Sequence, residues 1–372
     1  MATQEAGIES RHDAASSSKS TEEFETVVIG GGQAGLAVGY YLKKRGRSFV
    51  ILDANDRIGG SWRTRTWNSL RLFTPARYDG LPGWGYPGPG WSYPTAKELA
   101  DYLEAYALRF DLPVRSATAV KRLAKEGERY VVECGERRFV ADSVVVATGF
   151  YGTPSVPDFA SELDPRIVQM HSSEYRDPSQ LRPGGVLLVG AGNSGADIGM
   201  EVSATHRTWL SGRDKGQIPF RIEHPLRRVV LPVLWFVASH VLTMKTPLGR
   251  KVRPHVLEGG APRIRVKSQD LLGAGVESVA KTVDAHDGLP VLEDGRVMDV
   301  ANVIWCTGFR QDFSWIEVPI FGDDTQPMHE RGVTPEPGLY FVGLDFLYSF
   351  TSENVGGVGR DARHIVRHIA SG

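Results

Sequence analysis

The sequence predicts an α/β protein made of two units that share one plan, in which buried parallel strands alternate with helices. Three observations lead to this prediction. A short apolar strand is followed by a glycine-rich turn and a helix at residues 27–45, and the same order recurs at residues 186–204. Strand-like runs end in Thr-Gly in both units. A length of 372 residues is enough for two domains of ordinary size.

The overall composition excludes several classes of protein. Lys and Arg total 43 and Asp and Glu total 44, a formal net charge of −1, whereas a nucleic-acid-binding domain usually has a large positive excess. Cys134 and Cys306 are far apart, and neither belongs to a C-x-x-C motif. We therefore expect no disulfide framework, no metal site and no dithiol redox centre. Glycine is in excess, with 42 residues, and the positions of these glycines carry the functional argument.

The chain opens with a polar, serine-rich segment, residues 1–23, that we expect to be a disordered tail. It lacks the apolar core of a secretory signal and contains acidic residues, so we expect a cytoplasmic protein. Order is expected from Phe24 onwards. The pattern then predicts a buried strand, a helix and a second buried strand at residues 25–29, 36–45 and 48–52.

The clearest helix is predicted over residues 96–110. Its apolar residues follow one stripe at helical spacing, and Thr95 and Glu98 fit the capping-box pattern at its start. Residues 131–134 and 138–140 are expected to form a hairpin, and residues 143–147 a separate buried strand.

The second unit is predicted to contain strands at 186–189, 207–210 and 303–306 and a helix at 196–204, and a strand at 339–342 and a helix at 358–370 close the chain. Residues 217–268 are expected to form a helical insert. Its apolar run, 229–244, is shorter than the roughly 20 residues that a membrane span requires. We expect this run to be buried or to line a pocket, with a monotopic membrane contact as the alternative.

The glycine loop between the first strand and its helix indicates a dinucleotide site. Gly30, Gly32 and Gly35 have the spacing G-x-G-x-x-G. The first glycine permits a tight turn, the second lets a pyrophosphate approach the backbone, and the third lets helix and strand pack closely. The helix N-terminus then presents free N–H groups to the phosphates. Asp53 ends the second strand, where a carboxylate accepts hydrogen bonds from a ribose diol and repels a 2′-phosphate.

A second loop with the same spacing is formed by Gly190, Gly192 and Gly195. The position that corresponds to Asp53 holds Arg213 in this unit. A guanidinium suits a 2′-phosphate through paired, charge-assisted hydrogen bonds, so the second site is expected to prefer NADPH. The alternative interpretation of this residue is a solvated surface arginine.

Two dinucleotide folds of opposite ribose preference in one chain indicate internal electron transfer. NADPH delivers a hydride and a bound dinucleotide receives it, and the dinucleotide that carries an isoalloxazine is FAD. We therefore expect two cofactors, FAD and NADPH.

From about residue 27 to the final helix, the chain resembles the flavin-containing monooxygenase superfamily. It is most similar to short bacterial members and to the plant auxin-forming flavin monooxygenases. The segments that carry the resemblance include a Gly-Gly-x-Trp turn and a histidine fingerprint; they are residues 58–62, 70–75, 93–95, 170–176, 338–343 and 356–361. Pro165 and Ile167 stand where the fingerprint has Phe and Gly, and residues 70–75 lack the Asn that many members place near the flavin.

The resemblance and the two loops together imply roles for individual residues. FAD binding is expected at Gly30, Gly32, Gln33, Ala34, Gly35, Asp53, Gly60, Ser61, Trp62, Thr74, Thr148, Gly149 and Gly343. NADPH binding is expected at Gly190, Gly192, Asn193, Ser194, Gly195, Arg213, Thr307 and Gly308. His171 and Thr74 are the candidate catalytic residues. For His171 the favoured interpretation is a residue that positions the nucleotide between two domains, with proton transfer as the alternative.

The expected architecture is two Rossmann-like domains. An NADPH-binding domain, residues 156–309, is inserted into a discontinuous FAD-binding domain, residues 24–155 and 310–372. The expected activity is that of an FAD- and NADPH-dependent monooxygenase that transfers one oxygen atom from a C4a-(hydro)peroxyflavin to a small organic substrate, with O2 as the co-substrate.

Two other functions stay open on the sequence. One is an NADPH-dependent flavin oxidoreductase or oxidase that passes electrons to an acceptor without oxygen insertion. The other is a non-catalytic flavoprotein that senses NADPH or redox state, because the glycine loops indicate only binding. The sequence does not select a substrate or an oligomeric state.

Arg213→Ala tests the assignment of the second loop. Because the substitution removes the guanidinium expected to bind the 2′-phosphate, the KM for NADPH should rise far more than the KM for NADH. Steady-state kinetics with each nucleotide measure both constants, and equal effects on the two would refute the role of Arg213.

Overall fold

The computed structural model describes residues 20–149, 152–259, 262–323 and 325–371. The strands in these ranges are β1 (Ser20–Ile29), β2 (Phe49–Leu52), β3 (Val114–Arg115), β4 (Arg122–Glu126), β5 (Arg129–Cys134), β6 (Arg137–Val146), β7 (Thr153–Pro154), β8 (Val168–His171), β9 (Val186–Val189), β10 (Thr208–Ser211), β11 (Glu277–Val279), β12 (Thr282–His286), β13 (Leu289–Leu292), β14 (Asn302–Trp305), β15 (Phe309–Arg310), β16 (Ile316–Glu317) and β17 (Leu339–Phe341). The α-helices are α1 (Gln33–Lys44), α2 (Gly60–Thr64), α3 (Ala96–Arg109), α4 (Asn193–Val202), α5 (Arg227–Phe236), α6 (Pro247–Gly259), α7 (Ser268–Gly273) and α8 (Val358–Ile369). A π-helical turn, Val237–Val241, follows α5.

The first sheet has eight strands in the order β16-β4-β5-β6-β1-β2-β3, with β17 also paired to β6. The strands β2 and β6 run parallel to β1, whereas β4, β5 and β6 form an antiparallel meander. Neighbouring residues of the central strands face opposite layers. Val28 and Val145 pack in a cluster with α1, α3 and α8, while Val27 and Val144 pack in a second cluster with the meander.

The second sheet has five parallel strands in the order β11-β10-β9-β14-β8. Ile198 and Val202 of α4 and Leu271 of α7 pack on it. All five strands lie between β6 and β16 in the chain, so the chain leaves the first sheet, builds the second, and returns to the first. The predicted α/β class with parallel sheets is confirmed.

The parallel strands of the first sheet bring three turns to one edge. Ala147, after β6, donates its N–H to the carbonyl of Ile29 at the end of β1 (2.8 Å). Val342, after β17, donates its N–H to the carbonyl of Val146 (3.0 Å). The loops that follow β1, β6 and β17 therefore start side by side, at the edge where α/β sheets bind ligands.

The expected start of order at Phe24 is wrong. β1 begins at Ser20, and its first four residues pair in parallel register with residues 137–140 of β6. Glu22 forms ion pairs with Arg115 (2.8 Å) and Arg137 (3.2 Å), so the polarity that suggested disorder belongs to an ion-paired strand. The rest of the expected tail, residues 1–19, lies outside the described residues.

The helix over 96–110 is confirmed, and its capping box is formed. Thr95 Oγ1 accepts the N–H of Glu98 (3.1 Å), and Glu98 Oε2 accepts the N–H of Thr95 (2.8 Å). The hairpin around residues 135–136 is confirmed as β5 and β6. The separate strand at 143–147 is wrong, because β6 continues without a break from the hairpin into its pairing with β1.

The expectation that the apolar run 229–244 is buried is also wrong for much of its length. Val229, Val233 and Phe236 of α5 are exposed, although the Phe236 ring stacks on His240 of the next turn (centroids 4.7 Å apart). On the opposite side of the helix, Trp235 stacks on the ring of Tyr78 (centroids 4.8 Å apart). Packing along one side can stabilise a helix of ten residues. The apolar run could therefore form α5 without being buried on all sides. Among the described residues, no helix has the length and apolar character needed to cross a bilayer.

Candidate functional site

The first glycine loop joins β1 to α1 in a way that excludes side chains at two positions. Gly30 has a φ angle of +113°, and a Cβ atom at Gly35 would overlap the carbonyl group of Gly30. A Cβ atom at Gly32, in contrast, would meet no described atom within 4 Å. The first turn of α1 thus faces open space at the second glycine, where the phosphates of a dinucleotide are expected.

Asp53 follows β2 and is held against the loop. Its Oδ2 atom accepts the N–H of Gly31 (2.6 Å), and its Oδ1 atom accepts the N–H and the amide Nδ2 of Asn55 (2.8 Å each). The residue is buried. Because Oδ2 accepts a single bond, it retains a lone pair for a hydroxyl donor such as a ribose.

A cavity of about 490 Å³ lies at this edge of the first sheet. Twelve of the thirteen residues predicted for FAD border it: Gly30, Gly32, Gln33, Ala34, Asp53, Gly60, Ser61, Trp62, Thr74, Thr148, Gly149 and Gly343. The thirteenth, Gly35, lies behind the loop against Gly30. The fold therefore brings six separate segments of the chain around one cavity.

The side chain of Gln33 links three walls of the cavity. Its Oε1 atom accepts the indole N–H of Trp62 (3.4 Å), and its Nε2 atom donates to the backbone oxygen of Glu353 (3.1 Å). Gln33 is the first residue of α1, so the helix that carries the glycine loop also positions the Trp62 ring and the 353–355 segment.

Other walls of the cavity were not predicted from the sequence. They are Ile29, Leu52, Ala54, Asn55, Gly59, Arg65, Leu72, Phe73, residues 118–120, Ala147, Trp315 and residues 353–355. Residues 118–120 follow β3, which is parallel to β2, so the neighbouring strand could have identified them. A strand of two residues, however, has no readable period. Trp315 and Glu353 come from loops that carry no local signal.

The second glycine loop repeats the geometry of the first. Gly190 has a φ angle of +117°, a Cβ at Gly195 would overlap the carbonyl of Gly190, and a Cβ at Gly192 would meet no described atom within 4 Å. Asn193 turns its amide to the insert, where it accepts the N–H of Ile264 (2.9 Å) and donates to the oxygen of Pro262 (3.3 Å). Ser194 follows it in the first turn of α4.

Arg213 lies two residues beyond β10 and is exposed. Its nearest carboxylate partner is Glu293, at 3.8 Å, with both side chains largely in solvent. An exposed pair at this separation contributes little, so the guanidinium can turn to another anion.

His171 connects the end of β8 to the turn after β14. Its Nδ1 atom lies 2.8 Å from Ser173 Oγ, and its Nε2 atom lies 3.0 Å from the backbone oxygen of Gly308. Burial lowers the pKa of His171. Since Nε2 faces a carbonyl acceptor, the neutral ring carries its proton there. Both ring nitrogens are occupied by the protein, and the side chain does not border the cavity described above.

Thr307 and Gly308 form the turn that His171 holds. The hydroxyl of Thr307 donates to the backbone oxygen of Ser155, and the N–H of Ser155 donates to the oxygen of Gly308 (2.9 Å). The predicted Thr-Gly turn of the second unit is therefore hydrogen-bonded to Ser155, which lies just before the second unit begins in the chain.

Thr74 borders the cavity, and its hydroxyl donates to Oδ1 of Asp79 (2.5 Å). Asp79 is buried, and its Oδ2 atom has no hydrogen-bond partner within the described part of the chain. Burial raises the pKa of Asp79 to about 7, against a smaller lowering by the Thr74 hydrogen bond. The carboxyl group is therefore neutral in mildly acidic solution.

The two cysteines lie in different sheets and are both free. Cys134 is in β5, and Cys306 directly follows β14. Burial raises the pKa of Cys134 to about 11 and that of Cys306 to about 12. Both thiols are thus neutral at pH 7 and belong to two separate environments rather than to one dithiol.

Comparison with known proteins gives matches over nearly the whole chain. A family model described as pyridine nucleotide-disulphide oxidoreductase matches residues 27–220. An uncharacterized CzcO-like oxidoreductase of Geobacillus kaustophilus is 38% identical over 360 residues, covering 93% of this chain and 98% of that protein. The probable indole-3-pyruvate monooxygenase YUCCA3 of Arabidopsis thaliana is 30% identical over 388 residues, covering 93% and 86%.

The same likeness is found among solved structures. The flavin-containing monooxygenase from Stenotrophomonas maltophilia superposes with a TM-score of 0.76 at 29% identity, covering 94% of this chain and 99% of that one.

Asp79→Asn tests the buried carboxyl next to Thr74. Folding raises the pKa of Asp79 from its ordinary value near 4 to about 7, so the folded state binds the proton more tightly than the unfolded state. The resulting contribution to stability is fully present below about pH 4 and is lost as the pH rises through about 7. The unfolding free energy of the wild type should therefore fall between pH 5 and pH 8 by on the order of 2 kcal/mol more than that of the variant. Urea unfolding at the two pH values measures it.

Asp299→Asn is the matched control, because this carboxylate is exposed. Its unfolding free energy should follow the pH dependence of the wild type. Identical pH dependence of the wild type and Asp79→Asn would show that Asp79 is ionised in the folded protein throughout this range.

Proposed function

The chain belongs to the pyridine nucleotide-disulphide oxidoreductase family and to the flavin-containing monooxygenase superfamily, and from this premise we propose that it is an FAD- and NADPH-dependent monooxygenase. The observation that carries the proposal is the pair of glycine loops. They have the same geometry, but Asp53 follows one and Arg213 the other. This difference suits two different dinucleotides in one chain, which is the requirement for passing a hydride between them.

The residues around the first loop fit FAD. The open space at Gly32 would receive the pyrophosphate, and the free acceptor of Asp53 a ribose hydroxyl. Trp62 and Thr74 border the remainder of the cavity, in which the flavin would lie. Bound FAD, reduced by NADPH, supplies activated oxygen for insertion into a small organic substrate, with the second oxygen atom released as water.

The side chains of this chain then supply position and exclusion of water rather than a covalent step. Gln33 orients the Trp62 ring at the cavity wall through the 3.4 Å hydrogen bond. Thr74 is held by Asp79 at the border of the cavity. His171 acts as a positioning residue, since its bond to Gly308 fixes the turn that would approach the nicotinamide nucleotide.

The two sheets correspond to the two domains of this proposal. The first sheet, with its returning strands β16 and β17, belongs to the FAD-binding domain, which begins at Ser20 rather than Phe24. The second sheet belongs to the NADPH-binding domain, residues 156–309. Arg213 at the carboxyl end of β10 is the residue proposed to select NADPH over NADH.

Gly32→Val and Gly35→Val separate binding from folding. A side chain at Gly32 enters open space, so the variant should keep the wild-type unfolding temperature without FAD yet lose most of its bound FAD. A side chain at Gly35 overlaps the Gly30 carbonyl, so that variant should be destabilised by about 1–3 kcal/mol or more. Thermal unfolding and the flavin-to-protein absorbance ratio measure the two effects.

Gly273→Val in α7 is the control for a glycine replaced in open space away from both loops. It should retain both FAD and stability. Full FAD occupancy in Gly32→Val would contradict the placement of the pyrophosphate at the first loop.

The monooxygenase activity is tested with ¹⁸O₂. The purified holoenzyme is supplied with NADPH and a panel of amines, sulfides, ketones and α-keto acids, while NADPH consumption, H₂O₂ and product mass are recorded. With a substrate of the right class, each NADPH consumed should give one product molecule containing one ¹⁸O atom, and the H₂O₂ yield should fall.

Two results would support the other functions instead. Stoichiometric H₂O₂ with every compound would indicate an oxidase without oxygen insertion. Absence of NADPH oxidation would leave a binding protein.

A further inference from the structure

The exposed apolar side chains of the described residues are concentrated in one segment. Thirteen large apolar side chains are more than about a third exposed, and seven of them lie between residues 226 and 257: Leu226, Val229, Val233, Leu234, Phe236, Leu248 and Leu257. This segment is less than a tenth of the chain. Single exposed apolar residues need no explanation, but a cluster marks an interaction surface.

On α5 the exposed residues form a stripe. Leu226, Val229, Val233 and Phe236 are spaced by three, four and three residues, which places them on one side of a helix. Val229 is 68% exposed and Phe236 is 58% exposed. The opposite side carries Trp235, which stacks on Tyr78. The helix therefore has an apolar side toward the protein and another toward solvent.

The connection between α5 and α6 is fixed to the protein. Met244 donates its N–H to the oxygen of Tyr348 (2.8 Å), and Phe350 donates its N–H to the oxygen of Leu242 (3.0 Å). Ser239 is buried, and Arg360 donates to its backbone oxygen. These bonds hold the connection after α5 against the protein, so α5 keeps its orientation and its outer stripe stays in solvent.

The charged residues of the segment are all positive. Residues 226–257 contain six Lys and Arg residues and no Asp or Glu, although the whole chain has a net charge of −1. Arg228, Lys245, Arg250 and Lys251 are exposed, and none of them forms an ion pair with a carboxylate within the described ranges. The segment that carries the exposed apolar stripe thus also carries exposed cations whose charge is available to an anionic partner, although Arg250 donates one hydrogen bond to the backbone oxygen of Met244 (3.2 Å).

We infer that α5 and α6 form a docking surface for an anionic membrane surface, on which the protein lies without spanning the bilayer. An apolar helix side beside Lys and Arg residues is the composition that inserts shallowly between acidic lipid headgroups. A second copy of the chain is a poorer occupant, because a two-fold contact would bring the same six cations together. The inference is independent of the reaction proposed above.

Vesicle co-sedimentation of the holoenzyme tests the inference. Vesicles of phosphatidylcholine with about one third phosphatidylglycerol should bind the protein at least tenfold more strongly than phosphatidylcholine alone, and 0.5 M NaCl should reverse most of the difference. Val233→Ser with Phe236→Ser should lower the partition coefficient at least tenfold. Arg250→Gln with Lys251→Gln should lower it about fivefold for each charge removed.

The matched controls are Leu108→Ser and Leu272→Ser, which replace leucines that are 76% and 77% exposed outside the segment. Both should bind acidic vesicles as the wild type does. Circular dichroism and flavin content establish that every variant is folded.

Three results would overturn the inference. One is equal binding to the acidic and the neutral vesicles, and another is no binding to either. The third is a dimer in analytical ultracentrifugation that Val233→Ser with Phe236→Ser dissociates while vesicle binding is unchanged, which would assign the surface to a second copy.

Discussion

Helix α1 lies so close to the end of β1 that the α-carbon of Gly35 rests against the carbonyl group of Gly30, and the cavity depends on this contact. It sets where the first turn of α1 points, and that turn carries Gly32 and Gln33. From Gln33, hydrogen bonds extend to Trp62 and to the 353–355 segment. A side chain larger than hydrogen at Gly35 would move the helix, and the walls of the cavity would move with it.

The second unit has the same close contact, between Gly190 and Gly195. The two loops therefore share one backbone geometry, and the two sites differ in the side chains around them. Asp53 is buried and held by two hydrogen-bonded neighbours, whereas Arg213 is exposed and weakly paired. A fixed carboxylate suits a cofactor that stays bound, and an exposed, weakly paired guanidinium suits a nucleotide that arrives and leaves. His171, bonded to Gly308, ties the turn of the second unit to its own sheet edge.

The elements whose physical signal is local could be predicted from the sequence. Glycine spacing, strand ends and the Thr95–Glu98 capping box are set by contacts within a few residues, so the loops, α3 and twelve cavity residues could be predicted. Elements whose conformation depends on contacts with distant parts of the chain could not be predicted in this way. Residues 20–23 are polar but form a strand because β6 extends beside them, and Trp315 reaches the cavity from a distant loop. Helix α5 packs on Tyr78 through Trp235, while Val229 and Val233 stay exposed.

A crystal structure of the protein with FAD and NADP⁺ would show whether the two glycine loops hold two different dinucleotides, as we propose. We expect the FAD pyrophosphate over Gly30 to Gly35, with a ribose hydroxyl on Asp53. We expect the NADP⁺ pyrophosphate over Gly190 to Gly195, with the 2′-phosphate within hydrogen-bond distance of Arg213. Density for one dinucleotide only, or a 2′-phosphate pointing away from Arg213, would contradict it.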